Sequence, residues 1–325
     1  MVSDPFNTWL DDPQRIQEAL SETTQLLNEA YDPVSVADLY RLFEDLDRPH
    51  VMVYQEFSRT VISDGTRTLR LAFKGALLSR VDLLKAPLKT TRIAIQYGYD
   101  GTLYKGSQIQ PNVPTITGQI ESILGHLFQS DITLHPASRT DAGVHAKAAT
   151  AHFDAPFNMA ADKLLRLMNR MAPSDLVIHH VQEVTPFFHA RYDLLTKTYA
   201  YTLSRIKRVE TMHKVSVFEP LDIVQFTANI QAFEGTHDFR NFAKVDASTN
   251  TVRTIESIDI HAIDDDTYRV TFHASGFLRH MIRMIIGAAL EYSLDAIQNA
   301  LAHPETPSQK VLAPAEGLML VSTDY

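Results

Sequence analysis

The succession of helix-like and strand-like segments after residue 90 constrains the fold of this chain more than any other feature. Apolar residues recur there with the helical period in some segments and with the strand period in others, and several strand-like segments follow one another directly. Strands joined by short turns pair antiparallel, whereas parallel pairs need a long crossover. We therefore predict an α+β fold with a largely antiparallel central sheet.

The predicted elements of this body are short and of both types. The strands are residues 93–97, 131–135, 148–153, 176–184, 196–203, 255–263, 267–274 and 317–321. The helices are residues 115–127, 161–171, 222–233 and 276–291. In the last helix Arg279 and Arg283 are four residues apart, so they are predicted to share a face among apolar neighbours. A buried arginine needs a partner, and Asp141 is a candidate.

The first region, residues 1–88, is predicted to be a small accessory α+β domain. Helices are expected over residues 14–30 and 36–46, and strands over 51–57 and 68–73 with a turn signal at 63–66. The main body would then be residues 89–325. The first region contains no motif that assigns a role, and it could dock on the body, mediate assembly or touch a substrate.

Composition excludes several classes of protein. The chain has 325 residues, of which 45% are hydrophobic and 21% charged, as in soluble globular proteins. No apolar run approaches the roughly 20 residues that span a bilayer, and the N-terminus lacks the pattern of a signal peptide, so we expect the cytoplasm and no membrane. Cysteine is absent, which excludes disulfides and thiolate zinc sites. The net charge of −9 leaves room only for a local basic cleft.

A polar loop, Ser138-Arg-Thr-Asp-Ala-Gly-Val-His-Ala146, lies between two predicted strands. Gly143 allows the backbone to bend there. An aspartate close to Arg139 is held ionised, and an ionised Asp141 can be a nucleophile, a general base or a metal ligand. An Asx-turn with a surface ion pair is the alternative from local chemistry alone.

A metal site or a nucleotide cofactor is not predicted. No Gly-x-Gly-x-x-Gly follows a strand, and no phosphate-binding loop with Gly-Lys-Ser/Thr occurs. The chain has 14 histidines, and Asp141, His145 and His152 could be proposed as ligands. These residues lack any established ligand spacing, which speaks against a metal-dependent hydrolase.

Asp141 has more arginine candidates around it than one carboxylate needs. Arg139, Arg191 and Arg283 together suggest an anionic substrate such as a phosphate backbone. Tyr199 shares a strand face with Lys197 and offers a flat surface for a base and a phenol that can move a proton. The alternative for Tyr199 is an ordinary core aromatic.

These residues resemble the tRNA pseudouridine synthase A family. Arg139-Thr-Asp-Ala-Gly-Val-His145 is similar to its catalytic loop, and eight further motifs follow the family order over about residues 91–325. These are Tyr99-Asp-Gly-Thr-Leu-Tyr-Lys-Gly106, Asn169-Arg-Met-Ala-Pro-Ser-Asp175, Phe188-His-Ala-Arg191, Lys197-Thr-Tyr-Ala-Tyr201, Phe218-Glu-Pro-Leu-Asp222, Gly235-Thr-His-Asp-Phe239, Gly276-Phe-Leu-Arg-His-Met-Ile-Arg283 and Ala313-Pro-Ala-Glu-Gly-Leu318. The resemblance implies that residues 89–325 are a catalytic domain with the pseudouridine synthase fold, in two pseudo-symmetric α/β halves at about residues 91–205 and 206–325. It also implies a homodimer whose subunits both contact tRNA, and conversion of uridine to pseudouridine in the anticodon stem-loop without cofactor or metal.

The resemblance also implies residue roles. Asp141 would be the nucleophile, attacking ribose C1′ or uracil C6. Tyr199 would stack on the uracil and help remove the C5 proton, Arg283 would pair with Asp141, and Arg139 would hold the flipped nucleotide out of the stack. The expected RNA or substrate contacts are Arg191, Lys197, Arg279, His280, Phe277, Lys105 and Gln108.

One loop departs from the family pattern. The opening motif usually continues Gly-Trp-Gln-Arg-Gln, whereas this chain has Gly106-Ser-Gln-Ile-Gln110, without the tryptophan and the arginine. The change is expected to weaken RNA contacts of this loop and to affect which uridine is modified. It also keeps open an alternative, a catalytically altered relative that binds RNA.

Overall fold

The computed structural model describes residues 91–184, 188–246 and 249–325 in full and, before residue 91, the backbone of four strands. The chain divides into two compact units, Met1–Lys89 and Thr90–Tyr325. The predicted helices at residues 14–30 and 36–46 lie outside the described residues. The role of the first unit as an accessory domain stays a prediction.

In the first unit, the four described strands form an antiparallel sheet in chain order. They are β1 (Met52–Glu56), β2 (Arg59–Ser63), β3 (Arg67–Lys74) and β4 (Leu77–Lys85). The two predicted strands correspond to β1 and β3, and the turn signal at 63–66 falls between β2 and β3. The sequence of β4 mixes apolar and charged residues without strict alternation, so the strand period did not predict it.

The body contains a nine-stranded mixed sheet. Its strands are β5 (Thr91–Tyr99), β6 (His135–Pro136), β7 (His145–Ala155), β8 (Leu176–Glu183), β9 (Thr196–Ser204), β10 (Ser216–Val217), β13 (Ser257–Ala262), β14 (Thr267–Ala274) and β15 (Leu318–Asp324). They are paired in the order β13-β14-β9-β15-β7-β5-β8, with β10 beside β9 and β6 beside β7. Only the pairs β15–β7 and β10–β9 are parallel, which confirms the predicted α+β fold with a largely antiparallel sheet.

A separate two-stranded ribbon and the helices complete the described body. The ribbon pairs β11 (Gly235–Asp238) with β12 (Val252–Ile255). The helices are α1 (Ile116–Phe128), α2 (Ala161–Met171), α3 (Ile223–Gln231), α4 (Met281–Glu291) and α5 (Leu294–Ala302). Thr115, Asp222 and Ser293 cap α1, α3 and α5 by accepting hydrogen bonds from backbone N–H groups. Within the described part of the chain, no helix combines the length and the apolar character that crossing a membrane requires.

Helix α4 is apolar on nearly every side. Ile282, Ile285 and Ile286 are almost fully buried in the main apolar core, and burying a side chain of this size stabilises the fold by roughly 1.5–3 kcal/mol. Arg283 interrupts this surface and keeps only 12% of its side chain exposed. The helix therefore fixes one guanidinium group at the edge of the core.

Two predicted strands differ from the structure. Only His135 and Pro136 of the segment 131–135 pair with β7, so β6 has two residues and Asp131 to Leu134 are not a strand. The Leu134 N–H bonds to the Glu121 carboxylate instead of to a strand. The predicted strand 255–263 divides at Glu256 into β12 and β13, which belong to different sheets.

The predicted helix 276–291 begins only at Met281. His280 has a φ of 62°, a left-handed conformation that cannot continue a right-handed helix. Arg279 therefore lies in the loop between β14 and α4, where it is exposed. The prediction that Arg279 and Arg283 share a buried helix face is wrong, and only Arg283 is on the helix.

Candidate active site

The stretch of residues 138–146 comprises the loop between β6 and β7 and the first two residues of β7, and it is tied to the end of β5 and to the segment that follows β5. The hydroxyl oxygens of Tyr99 and Thr140 are 2.7 Å apart. The Ser107 hydroxyl accepts from the Thr140 N–H at 2.8 Å, and the Ser107 N–H donates to the Thr140 carbonyl at 3.1 Å. These contacts fix the residue immediately before Asp141 and so help to position its carboxylate.

The other end of the loop is closed by Gly143 and His145. Gly143 has a φ of 79°, in the left-handed region that favours glycine, as its place in the loop predicts. The buried His145 accepts from the Gly101 N–H at 3.1 Å through Nδ1, and its Nε2 lies 2.7 Å from the His213 carbonyl oxygen. Both ring nitrogens have partners, so His145 anchors the loop.

Asp141 faces two nitrogen-bearing side chains. One carboxylate oxygen accepts from Arg283 Nη1 at 3.2 Å, and the other lies 3.5 Å from His280 Nε2. Arg283 also donates from Nε to the Ala313 carbonyl at 2.8 Å, which orients the guanidinium. The Asp141 side chain remains 24% exposed. The site therefore combines a fixed counter-charge with a carboxylate that a substrate can reach.

His280 reaches Asp141 from a left-handed backbone conformation. Burial lowers the pKa of its imidazole, and the cations Arg283, Arg279 and Lys244 lower the pKa further, whereas Asp141 opposes them. The contact thus joins a carboxylate to a ring that resists protonation. The permanent positive charge beside Asp141 is that of Arg283.

Tyr199 lies close to the same loop. Its hydroxyl is 3.0 Å from the Ser138 Oγ, and its ring makes an edge contact with Phe277 at a centroid distance of 5.4 Å. Burial raises the pKa of Tyr199 to about 12; the Ser138 hydrogen bond opposes the rise, and Asp141 adds to it. Phe277, predicted as a substrate contact, is half-buried against this ring.

Lys197 reaches Ser138 from the same strand face as Tyr199, as the alternation along β9 predicts. Its Nζ donates to the Ser138 Oγ and to the Ala137 carbonyl, both at 3.3 Å. Burial lowers the pKa of the ammonium to about 8, and Arg191 contributes to the lowering. Lys197 therefore belongs to the hydrogen-bonded cluster beneath the loop.

The remaining predicted contact residues lie at the surface. Arg139, Arg191, Arg279, Lys105 and Gln108 are all exposed. In the described part of the chain, no hydrogen bond or ion pair holds the Arg139 guanidinium, and the Arg191 guanidinium lies 6.0 Å from the Tyr192 ring centroid. Side chains in this state are available to a ligand, and their role in RNA binding stays a prediction.

Three contributors to the site were not predicted. Ser138 joins Lys197 to Tyr199, Ser107 holds Thr140, and the Ala313 carbonyl holds Arg283. Ser138 and Ala313 lie inside the motifs that the sequence singles out, but backbone acceptors and small hydroxyls carry no pattern of their own.

Among the described residues, one cluster of histidines is close enough together to be considered as a metal site. Ring nitrogens of His135, His152 and His189 lie within 4.8 Å of one another. However, Nδ1 of His152 accepts from the Ala190 N–H at 3.1 Å, and Nδ1 of His189 accepts from the Arg191 N–H at 3.2 Å. A neutral ring that accepts at Nδ1 carries its proton on Nε2 and has no free lone pair for a metal. The cluster holds the 188–193 loop and does not favour a metal site.

Comparison with known proteins agrees with the motifs. Residues 230–325 match a family described as tRNA pseudouridine synthase. "tRNA pseudouridine synthase A" of Geobacillus sp. is 35% identical over 245 residues, which cover 72% of this chain and 98% of that protein. "tRNA pseudouridine synthase A 1" of Bacillus cereus is 36% identical and also covers 72% of this chain and 98% of its own length. "tRNA pseudouridine synthase A 1" of Desulfotalea psychrophila is 34% identical and covers 72% of this chain and 99% of its own length. The chain belongs to the tRNA pseudouridine synthase A family.

Membership of the tRNA pseudouridine synthase A family makes the chain an isomerase of the pseudouridine synthase class. Among solved structures, a Cbf5-Nop10-Gar1 complex is 13% identical over 70% of this chain and 48% of that chain, with a TM-score of 0.31, a likeness too weak to carry an argument. The family assignment rests on the sequence relatives, which the chain covers almost completely.

Proposed function

We propose that this protein converts uridine to pseudouridine in the anticodon stem-loop of tRNA, with Asp141 as the nucleophile and no cofactor. The observation that carries the proposal is the convergence on one loop of the Asp141 carboxylate, the Arg283 guanidinium and the Tyr199 phenol. These elements come from three distant parts of the chain. Family membership supplies tRNA as the substrate class.

The reaction exchanges a C–N glycosidic bond for a C–C bond. The bond from ribose C1′ to N1 of the base breaks, and a bond from C1′ to C5 forms. A nucleophile of the protein must therefore bond to an electrophilic carbon of the substrate between these two events. An Asp141 carboxylate beside a permanent cation is suited to attack either ribose C1′ or uracil C6. Arg283 then fixes the attacking oxygen, because its guanidinium is itself held by the Ala313 carbonyl.

Tyr199 supplies the second function. Its ring lies edge-on against Phe277, and an aromatic ring at this position would stack on a flipped uracil. The phenol oxygen is in reach of the catalytic loop through Ser138. We assign Tyr199 to holding the uracil and to removing the C5 proton.

The exposed cations would bind the RNA backbone. Arg191, Arg279 and Lys105 have the exposure that phosphate contacts require, and Gln108 and His280 would contact the RNA or the substrate beside them. Arg139 would insert into the RNA and hold the target nucleotide out of the stack, offsetting a flipping cost of a few kcal/mol. Because the chain carries a net charge of −9, binding depends on this local group of cations.

Assembly and location complete the proposal. The family resemblance supports a homodimer in which tRNA contacts both subunits, acting in the cytoplasm. Residues 1–88 would be an accessory domain. None of the predicted steps involves a metal ion.

The test is a map of pseudouridine in tRNA from cells with and without the protein, repeated with Asp141→Ala. We expect a modified position in the anticodon stem-loop that disappears in both cases, while the variant keeps its fold and its tRNA affinity. Full modification by Asp141→Ala would contradict the mechanism.

The alternative, an RNA-binding relative with altered catalysis, is favoured by one observation. Ser107 and Ile109 stand where the family pattern has tryptophan and arginine, and Ser107 is buried against the catalytic loop. Binding of tRNA by the wild-type protein with no pseudouridine at any position would support this alternative.

A further inference from the structure

We propose that Ser138 and Lys197 form a proton relay through which Tyr199 removes the C5 proton of the uracil. In this relay Tyr199 is the group that touches the base, and Ser138 and Lys197 are positioning residues that act through it. The inference rests on the proposed function, because it assigns the destination of the proton that Tyr199 takes.

The relay is a continuous hydrogen-bonded chain. The Tyr199 hydroxyl lies 3.0 Å from the Ser138 Oγ, and Lys197 Nζ lies 3.3 Å from the same oxygen. A serine hydroxyl can donate and accept at once, so one side can take a proton while the other releases one. Lys197 also reaches the Ala137 carbonyl, which keeps its nitrogen at Ser138.

A phenol cannot act as a base while it keeps its own proton. Burial raises the pKa of Tyr199 to about 12, so roughly one molecule in 100,000 carries the phenolate at neutral pH. Tyr199 must therefore release its proton as it takes the one from C5. Ser138 is the oxygen placed to receive that proton.

Lys197 can be the final acceptor because its amine is partly neutral. Burial lowers the pKa of Lys197 to about 8, which leaves about a tenth of it unprotonated at neutral pH. Among the described residues, the charged group that acts on it is Arg191, from the loop before β9, and the Tyr199 phenol is linked to it only through Ser138. Its strand partners in β14 and β15 are Ala274 and Thr323, which do not titrate in this range.

The protons balance along the chain. After C5 has bonded to C1′, the C5–H bond breaks and its electron pair restores the aromatic ring, while the proton goes to the Tyr199 oxygen. The Tyr199 proton passes to Ser138, and the Ser138 proton passes to the neutral Lys197 amine. N1 takes a proton from water, and the Lys197 ammonium returns one to water, so the net reaction remains an isomerisation.

The decisive comparison is between Lys197→Arg and Lys197→Met. Arginine keeps the positive charge but does not lose its proton in proteins, so it cannot accept one. If Lys197 only binds RNA, arginine should restore the activity that methionine removes. The relay predicts that Lys197→Arg binds tRNA like the wild type but remains at least about tenfold slower in single-turnover pseudouridine formation.

A target uridine with deuterium at C5 shows whether a substitution slows the proton transfer or instead affects folding or tRNA binding. We expect Ser138→Ala and Lys197→Arg to show a larger C5 isotope effect than the wild type, because C5 proton removal becomes the slow step.

We also expect the wild-type rate to rise between pH 7 and 9 with the deprotonation of Lys197, and this rise to be absent in Lys197→Arg. Lys163→Arg and Lys163→Met, on the exposed face of α2, are the matched controls.

The relay would be overturned if Lys197→Arg had the rate and the pH profile of the wild type. It would also be overturned if Ser138→Ala were slow without an increased C5 isotope effect. These outcomes leave the proposed function intact as long as the wild-type protein makes pseudouridine and Asp141→Ala does not. If the wild-type protein makes none, both proposals fail together.

Discussion

Two clusters of ionisable side chains flank strand β7, and they use their polar atoms differently. At its start, Asp141 faces a fixed cation across 3.2 Å and keeps a quarter of its surface open to solvent. Further along, ring nitrogens of His135, His152 and His189 lie within 4.8 Å of one another, and the His152 ring stacks on His135 and meets His189 edge-on. The first cluster has a carboxylate that is oriented and still accessible. In the second, the ring nitrogens of two histidines already bind backbone N–H groups.

The comparison distinguishes a cluster that can react with a substrate from a cluster that only holds a loop in place. Proximity of titratable groups is common to both clusters, so proximity alone does not indicate a site. Burial lowers the pKa of His152 to about 3 and also lowers the pKa of His189, which favours the neutral form of both rings, and both rings hold the loop that carries Arg191. A group that reacts with a substrate needs an accessible electron pair, and the Asp141 carboxylate, with 24% of its side chain exposed, is accessible.

The largest effect that separates the clusters should come from Arg283→Met. Methionine fills similar space but removes the counter-charge, so Asp141 loses its orientation and its partner. We expect kcat for pseudouridine formation to fall about 100- to 1,000-fold, while the melting temperature changes little. His152→Gln is the control in the other cluster, and it should keep activity within about threefold at pH 7.5. An equal loss of kcat in Arg283→Met and His152→Gln would contradict the different roles of the two clusters.

The support of the Asp141 loop can be broken at Gly101. A Cβ there would lie 2.0 Å from the Val144 carbonyl oxygen, so the backbone would have to move. We expect Gly101→Ala to lower the free energy of unfolding by about 3 kcal/mol, measured by urea denaturation. Gly125→Ala, where a Cβ meets only an ordinary contact at 3.6 Å, should be neutral or stabilising by up to about 1 kcal/mol. A stable, active Gly101→Ala would show that the loop tolerates displacement.

The histidine cluster should control stability in acid. The folded pKa of His152, about 3, is below its unfolded value of 6.5, so its contribution is complete above pH 6.5 and is lost as pH falls toward 3. Between pH 7.5 and pH 5 this one group should lower the free energy of unfolding by about 2 kcal/mol. His152→Gln keeps an acceptor for the Ala190 N–H and should lose less stability than the wild type over that range. An identical acid dependence in both proteins would refute this role.

The smallest effect should come from Arg139→Ala. The side chain is exposed and holds no partner among the described residues, so the melting temperature should not change. We expect kcat/KM to fall about tenfold through lost RNA contact, with weaker dependence on salt. A tRNA in which the target is already unpaired should recover part of the loss. An unchanged kcat/KM would remove Arg139 from the RNA contacts.

The sequence predicted the fold class and the central pair of the site for a physical reason. Strand and helix periods determine which segments pair, and an arginine surrounded by apolar residues, Arg283, required a carboxylate. The sequence did not predict that His280 delays the start of helix α4 to Met281, because a single left-handed residue has no periodic signal. It also missed Ser138 as the link between Lys197 and Tyr199, since that contact depends on the packing of the loop against β9.

The most direct test of the account is single-turnover pseudouridine formation by Asp141→Asn. Asparagine keeps the shape of the side chain and removes its negative charge and nucleophilicity. We predict a rate at least about 10,000-fold below the wild type, with tRNA affinity within about threefold and an unchanged melting temperature. A rate within about tenfold of the wild type would show that Asp141 is not the nucleophile.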